Sequence, residues 1–122
     1  MNLTTEETWP EELRLARDGG MLTVVWSGGR VDSLDAEYLR VESPSAEVKG
    51  HGPGQEKIVP GKRRVRIERL EPGGSYAVRL LFDDGHSTGI YTWPYLATLA
   101  QTHTETWARY LDALTAQGLS RD

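Results

Sequence analysis

The sequence predicts an α+β domain that is mainly an antiparallel β-sheet built from hairpins, with short helices and a C-terminal helical segment. Alternating apolar and polar residues, the pattern of half-buried strands, recur between residues 13 and 92. Turns rich in glycine separate these runs, as they do in hairpins. Apolar residues at helical spacing dominate only after the last strand, and strands followed by helices indicate this class. The length of 122 residues is that of one domain.

The first predicted elements are two strands joined as a hairpin. Leu13 and Leu15 alternate with polar neighbours, and an Asp-Gly-Gly turn follows at residues 18–20. The second strand spans residues 21–26 and places every second side chain on one face, ending at Trp26. We expect that face to be part of the core.

A third strand, a helix and a loop come next. The strand is predicted near residues 31–34 and the helix over residues 35–40, with Asp35 as N-cap and Leu39 packing inward. Residues 50–62 are rich in glycine and proline and predict a mobile loop inside one domain.

The second half of the chain predicts three more strands. Residues 63–70 alternate, with Val65 and Ile67 facing inward, and residues 86–92 return from an Asp-Gly hairpin turn. The clearest strand lies between them and is predicted to bury one set of alternate residues: Tyr76, Val78, Leu80 and Phe82.

Two helices are predicted to close the domain. Pro94 suits the first turn of a helix over residues 93–100, in which Leu96 and Leu99 would be buried next to a buried Trp93. A final amphipathic helix, ended by Gly118, is indicated by the spacing of its apolar residues: Trp107, Tyr110, Leu111 and Leu114. We therefore expect a flexible tail at residues 1–11 and a single domain at residues 12–118.

The composition argues against several classes of protein. The formal net charge is −4, so no overall positive field attracts nucleic acid. Cysteine is absent, which excludes disulfides, thiolate metal sites and cysteine nucleophiles. The N-terminus lacks the pattern of a signal peptide, and no apolar run approaches the about 20 residues that span a bilayer. These features predict a cytoplasmic protein without a membrane partner.

The motifs yield no catalytic or metal-binding arrangement. The histidines His51, His86 and His103 are far apart, and no second histidine or H-x-D pair accompanies His86. No serine lies in a G-x-S-x-G elbow, and the glycine-rich segments match neither a phosphate loop nor a dinucleotide fingerprint. We therefore expect a protein that is not an enzyme and that needs no cofactor.

Basic and aromatic side chains are the candidates for contact with a partner. The basic stretch at residues 62–66 could meet RNA or an acidic protein, although Glu68 and Glu71 nearby also fit a solvated strand face. The aromatic residues fit either a core or an interface, because large aromatic and arginine side chains dominate interface hot spots. The candidate partner surface comprises Arg64, Arg66, Tyr91, Trp93 and Tyr95.

Several motifs also follow one another in a characteristic order. The most specific is D-G-H-S-T-G-I-Y-T-W at residues 84–93, read together with Y-L-R at residues 38–40. Other pieces lie at residues 26–29, 43–46 and 74–78. This order resembles the gamma-butyrobetaine hydroxylase N-terminal-like domain family. The resemblance covers about residues 12–100, leaves a helical extension at residues 101–118, and implies the same fold.

The resemblance also implies where a zinc site would be. Hydroxylase members of the family hold zinc with three cysteines and a histidine, whose positions here are occupied by Ser43, Ser45, Val48 and His86. Hydroxyl groups and a valine do not replace thiolate ligands. We therefore expect no bound zinc. Instead, serine hydrogen bonds and packing of Val48 should hold residues 43–48 against the hairpin.

The function implied by the resemblance is that of a non-catalytic accessory or protein-interaction domain. In the family the domain occurs alone, in front of hydroxylases, or attached to P-loop ATPases that carry iron–sulfur clusters, and the oxygenase chemistry lies in a separate domain. The expected partner is thus a P-loop iron–sulfur carrier ATPase. Two alternatives remain: a detached accessory subunit of a 2-oxoglutarate-dependent oxygenase, and a weak nucleic-acid binder that uses residues 62–69.

Overall fold

The computed structural model describes residues 9–50, 54 and 56–122. Within these ranges, six strands form two three-stranded antiparallel sheets in the orders β1-β2-β3 and β4-β5-β6, which confirms the predicted α+β class. The elements in chain order are β1 (Pro10–Leu15), β2 (Met21–Trp26), β3 (Val31–Asp35), α1 (Ala36–Val41), α2 (Ala46–Lys49), β4 (Ile67–Pro72), β5 (Ala77–Phe82), β6 (Gly89–Thr92), α3 (Trp93–Gln101) and α4 (His103–Ala116).

The first sheet and α1 follow the sequence pattern closely. Leu22, Val24 and Trp26 of β2 point into the core and are almost completely buried. The carboxylate of Asp35 accepts a hydrogen bond from the Tyr38 amide at 2.9 Å, so Asp35 is the N-cap that the sequence predicts. β1 already begins at Pro10, inside the predicted tail, and the rest of that tail up to residue 8 lies outside the described residues.

The second sheet departs from the prediction at the strand ends. β4 begins at Ile67 rather than at residue 63, because residues 62–65 form a turn in which the Val65 amide donates to the Lys62 carbonyl at 3.1 Å. The prediction that Tyr76 is a core residue is wrong. It precedes β5, and 62% of its surface is exposed.

The helices close the core much as predicted. α3 begins at Trp93, and the hydroxyl of its N-cap Thr92 accepts a hydrogen bond from the Tyr95 amide at 3.3 Å. Leu96 and Leu99 are buried. Trp93, which the sequence predicts as buried, is only partly so.

The final helix buries one side and exposes the other. In α4, Tyr110 and Leu114 are buried in a second, smaller apolar cluster with Val41, whereas Leu111 is exposed. The short α2 escapes sequence prediction because it is a single turn. Its N-cap is Ser45, whose hydroxyl accepts a hydrogen bond from the Glu47 amide at 3.1 Å. No helix in the described ranges is long and apolar enough to cross a membrane.

Tyrosine hydroxyls join distant parts of the chain. Four of them donate hydrogen bonds to backbone carbonyls at least 51 residues away. Burial raises the pKa of Tyr38 and of Tyr110 to about 12, so these hydroxyls remain donors at neutral pH. The pairs are Tyr38 with Leu99, Tyr91 with Leu39, Tyr95 with Glu42 and Tyr110 with Val59.

The C-terminal residues belong to the domain beyond its predicted end at residue 118. The Arg63 amide donates to the Arg121 carbonyl at 3.0 Å. The Arg121 guanidinium donates twice to the buried Glu37 carboxylate, at 2.8 and 2.6 Å. This ion pair fastens the chain end to α1.

Candidate functional site

The residues that the family resemblance aligns with zinc ligands meet beside the β5–β6 turn. Ser43 Oγ lies 2.9 Å from His86 Nε2, and Ser45 Oγ lies 2.6 Å from Thr88 Oγ1. Val48 lies on α2 and is buried. The hydrogen bonds that the sequence predicts for the two serines are therefore present, whereas packing of Val48 against the hairpin stays a prediction.

Glu47 completes this cluster on its solvent side. Its carboxylate accepts a hydrogen bond from Thr88 at 2.7 Å, and its other oxygen lies 3.4 Å from His86 Nδ1. Ser43 Oγ already accepts a hydrogen bond from the Ser45 amide at 3.2 Å, so its own hydrogen is free for His86 Nε2. Since Nδ1 faces a carboxylate, we assign the imidazole proton to Nδ1.

Asp84, in the β5–β6 turn, is the centre of a network of charged side chains. Asp84 accepts hydrogen bonds from Arg40 Nε at 2.8 Å and from the His86 amide at 3.0 Å, and Lys62 Nζ lies 2.6 Å from it. Burial alone would raise the pKa of Asp84. The hydrogen bonds from Lys62, His86 and Arg40 outweigh burial and lower this pKa to about 2. Asp84 is thus ionised throughout the neutral range.

The same surroundings keep His86 neutral. Burial lowers the pKa of His86, and the positive charge of Arg40 lowers it further, whereas Glu47 and Asp84 act in the opposite direction. A neutral imidazole has one acceptor nitrogen, and here that nitrogen serves the Ser43 hydroxyl.

The order serine, histidine, carboxylate resembles the relay of a serine hydrolase, but Ser43 is inaccessible. Its surface is fully buried. Gly89 packs so closely over it that an added Cβ there would lie 2.6 Å from Ser43 Oγ. A substrate carbonyl cannot approach a hydroxyl in that position. The cluster joins the 43–48 segment to the hairpin by hydrogen bonds.

The donor set does not fit zinc either. His86 is its one nitrogen ligand, and neutral hydroxyls at Ser43 and Ser45 do not replace thiolates. Across residues 9–50, 54 and 56–122, no three His, Asp or Glu side chains converge as metal ligands do. His51, the remaining candidate ligand, lies outside the described residues.

The structure separates the members of the candidate partner surface. Tyr91 is completely buried, so assigning it to a partner surface is wrong. Tyr95 is half-buried, with its hydroxyl committed to a backbone carbonyl. Arg64 is exposed beside the chain end, and the Arg66 amide is bonded at the end of β5. Trp93 lies at the opposite end of that strand, about 20 Å away at 3.3 Å per residue.

Trp93 borders an apolar groove of about 360 Å³. The groove lies between β1 and β4, in front of the first turn of α3. The Trp93 indole is held in place by a hydrogen bond from Nε1 to the Ser75 carbonyl at 3.1 Å. The apolar side chains that line the groove are Leu13, Leu70, Pro72, Ala77, Val78 and Trp93.

Sequence reasoning missed both Glu47 and Thr88. Each lies two residues beyond a predicted position, Ser45 and His86 respectively. Spacing of two puts side chains on the same face of an extended segment, so this pattern could have identified Thr88. The groove has no local sequence pattern, because the residues that line it are spread along the chain from Leu13 to Trp93.

Comparison with known proteins identifies relatives of the whole domain. A sequence model described as gamma-butyrobetaine hydroxylase-like, N-terminal, matches residues 13–97. No curated protein matches the chain.

Solved structures share this fold at high sequence identity. Two NMR solution structures match at 43% and 40% identity, with TM-scores of 0.80 and 0.82. The first match covers 93% of this chain and 89% of the other, and the second covers 99% and 90%. A crystal structure from Acidithiobacillus ferrooxidans, of a protein with unknown function in the DUF971 family, matches at 41% identity and a TM-score of 0.62. That match covers 75% of this chain and 91% of the other.

Proposed function

This chain belongs to the gamma-butyrobetaine hydroxylase-like N-terminal family, and from that premise we propose that it is a non-catalytic domain that binds another protein through the groove beside Trp93. The observation that carries the proposal is the apolar lining of that groove on the surface of the domain. Ordered, partly exposed apolar and aromatic side chains around a concave surface are typical of interface anchors.

The hydrogen-bond cluster around His86 supports this proposal indirectly. The cluster contains the residue types of a catalytic relay. Its serine, Ser43, is completely buried under Gly89, so the hydroxyl is not accessible to a substrate. The groove, in contrast, has few polar atoms and leaves Trp93 partly exposed.

The family association makes a P-loop iron–sulfur carrier ATPase the first partner class to test. A 2-oxoglutarate-dependent oxygenase that lacks its own N-terminal domain is the second. Nucleic acid is a weaker candidate because cations of the basic stretch already have acidic neighbours. Lys62 lies 2.6 Å from Asp84, Arg63 lies 2.6 Å from Asp122, and one Arg69 nitrogen lies 3.1 Å from Glu71.

The test is recovery of an identified partner by groove variants of the tagged protein in native cells. Pro72 is exposed and lines the groove, so Pro72→Arg places a long charged side chain there. Val31→Arg is the control, because it adds the same side chain at an exposed position of β3 outside the groove. Wild type and Val31→Arg should recover the ATPase, and Pro72→Arg should lose it. If all three proteins recover it equally, the groove is not the site. If none recovers either partner class, the proposed partners are wrong.

A further inference from the structure

The groove lies between two strand edges that have no neighbour. β1 pairs only with β2, and β4 pairs only with β5, among the strands of the described residues. Each strand therefore has one edge whose row of backbone N–H and C=O groups is not paired with another described strand, and both strands contribute side chains to the groove. Unpaired edges of this kind are templates for the addition of another strand.

The two edges are fixed together at one end only. The Ile67 amide, at the start of β4, donates to the carbonyl of Gly19, in the turn after β1, at 2.8 Å. Gly19 has a φ of 75°, and a Cβ there would lie 2.4 Å from the Ile67 carbonyl oxygen. Glycine is therefore required for this closure. Beyond it, no other backbone hydrogen bond joins β1 to β4 within the described ranges.

Beyond the Gly19–Ile67 hydrogen bond, β1 and β4 form the two walls of the groove. Leu13 lies on the β1 side, while Leu70 and Pro72 lie on the β4 side, and Val78 and Trp93 close the rest. An occupant must therefore be a narrow segment that offers backbone hydrogen bonds and apolar side chains together. An extended chain with apolar residues at alternate positions has both properties.

The charges of the two strands favour a basic occupant. β1 and β4 each contain two glutamates and one arginine. Glu12 is paired with Arg14, and Glu71 is paired with Arg69 and Arg79. Glu11 and Glu68 are exposed and have no ion pair within the described part of the chain. A second copy would bring the same two unpaired glutamates to these edges, where like charges repel, so the unpaired charges favour a different chain.

We propose that the groove between β1 and β4 binds an extended segment of another protein, with alternating apolar and basic residues, by strand addition. This inference rests on the proposed function and specifies how the partner is held. Backbone hydrogen bonds to the free edges supply affinity, the apolar groove accepts alternate side chains, and Glu11 and Glu68 select positive charge.

The probe is a library of random 12-residue peptides displayed on phage and selected on the intact protein. Enriched peptides should alternate apolar and basic residues, and the tightest is then synthesised. Its binding should perturb the NMR amide signals of β1 and β4. Pro72→Arg should abolish binding, and Val31→Arg should leave it unchanged. Failure to enrich any peptide of this pattern would count against the proposal.

Two further measurements separate strand addition from simple apolar docking. N-methylation of one inward-facing peptide amide should weaken binding at least about tenfold, which equals about 1.4 kcal/mol. The double variant Glu11→Lys with Glu68→Lys should weaken binding more than the control Asp112→Lys with Glu105→Lys, which makes the same charge change on exposed positions of α4.

Each contrary result has a distinct meaning. If the N-methylated peptide binds as tightly as the parent, strand addition is wrong, although loss of the cellular partner in Pro72→Arg would still support the proposed function. If the two charge variants behave alike, selection of basic segments is wrong. If sedimentation shows a dimer that Pro72→Arg dissociates, the occupant is a second copy, and the proposed partner class is overturned.

Discussion

Gly89→Ala tests whether the Ser43–His86 cluster is packed as closely as its distances indicate. An ideal Cβ at residue 89 would lie 2.6 Å from Ser43 Oγ and 3.0 Å from Tyr91 Cε1. Ser43 Oγ cannot move away freely, because it is bonded to His86 Nε2 at 2.9 Å and to the Ser45 amide at 3.2 Å. Overpacking of this kind costs about 1–3 kcal/mol of folding stability.

Ser43→Ala removes the hydroxyl that the added methyl group at residue 89 would contact. It leaves the buried His86 nitrogen without its donor, which costs about 1–3 kcal/mol. The double variant should cost less than the sum of the two single variants, because removal of Oγ makes room for the methyl group added at residue 89. The Tyr91 contact at 3.0 Å persists, so relief is partial. We expect a coupling energy of about 0.5–3 kcal/mol, favourable to the double variant.

The measurement is urea unfolding at neutral pH, followed by tryptophan fluorescence, for the wild type and the three variants. Gly28→Ala is the control, because an added Cβ there meets nothing within 4 Å. It should change the unfolding free energy by no more than about 0.5 kcal/mol. Additive costs for Gly89→Ala and Ser43→Ala would show that the two residues are not in the contact described, and would refute the reasoning.

Three further predictions follow from the same region and from the chain end. The purified protein should hold no stoichiometric zinc by elemental analysis, and one zinc per chain that is lost in His86→Ala would contradict this. Stability should fall as the pH drops below about 6.5, by at most about 1.4 kcal/mol per pH unit, because the unfolded chain takes up a proton that folded His86 resists. His86→Gln should flatten this slope in unfolding experiments between pH 7.5 and pH 5. Arg121→Ala should cost about 3 kcal/mol, because it leaves the Glu37 carboxylate buried without a partner, and the control Arg121→Lys should lose less.

Local patterns predicted the elements whose cause is local. β2 and α1 follow from strict alternation and from an N-cap next to its helix. The burial of Tyr76 and Trp93 could not be predicted in the same way. Alternation shows which side chains share a face of the strand, but it does not show where along the strand that face stops being buried. Tyr91 was ambiguous for a related reason. Its hydroxyl finds the Leu39 carbonyl 52 residues away, and only the folded chain shows that partner.

The site residues divide in the same way. The histidine and two serines could be named from motif order, whereas their mutual distances depend on contacts across 43 residues. The groove could not be predicted, because its walls belong to different sheets and its closed end depends on the Gly19–Ile67 hydrogen bond. The pairing of the chain end with α1 joins residues 84 positions apart and has no local pattern.

The charges around His86 explain how hydroxyl groups can occupy positions where thiolates would hold zinc. A serine hydroxyl can donate to an imidazole nitrogen only if that nitrogen is unprotonated. Burial and the Arg40 charge favour the neutral ring. Arg40 is itself held by ionised Asp84, which also accepts a hydrogen bond from the His86 amide and so fixes the turn. Arg40 therefore contributes to both contacts: its charge favours the neutral ring that accepts from Ser43, and its ion pair with Asp84 holds the turn. In a cationic His86 both ring nitrogens donate, so the Ser43 hydroxyl would have to reorient and accept a hydrogen bond from Nε2 instead of donating to it.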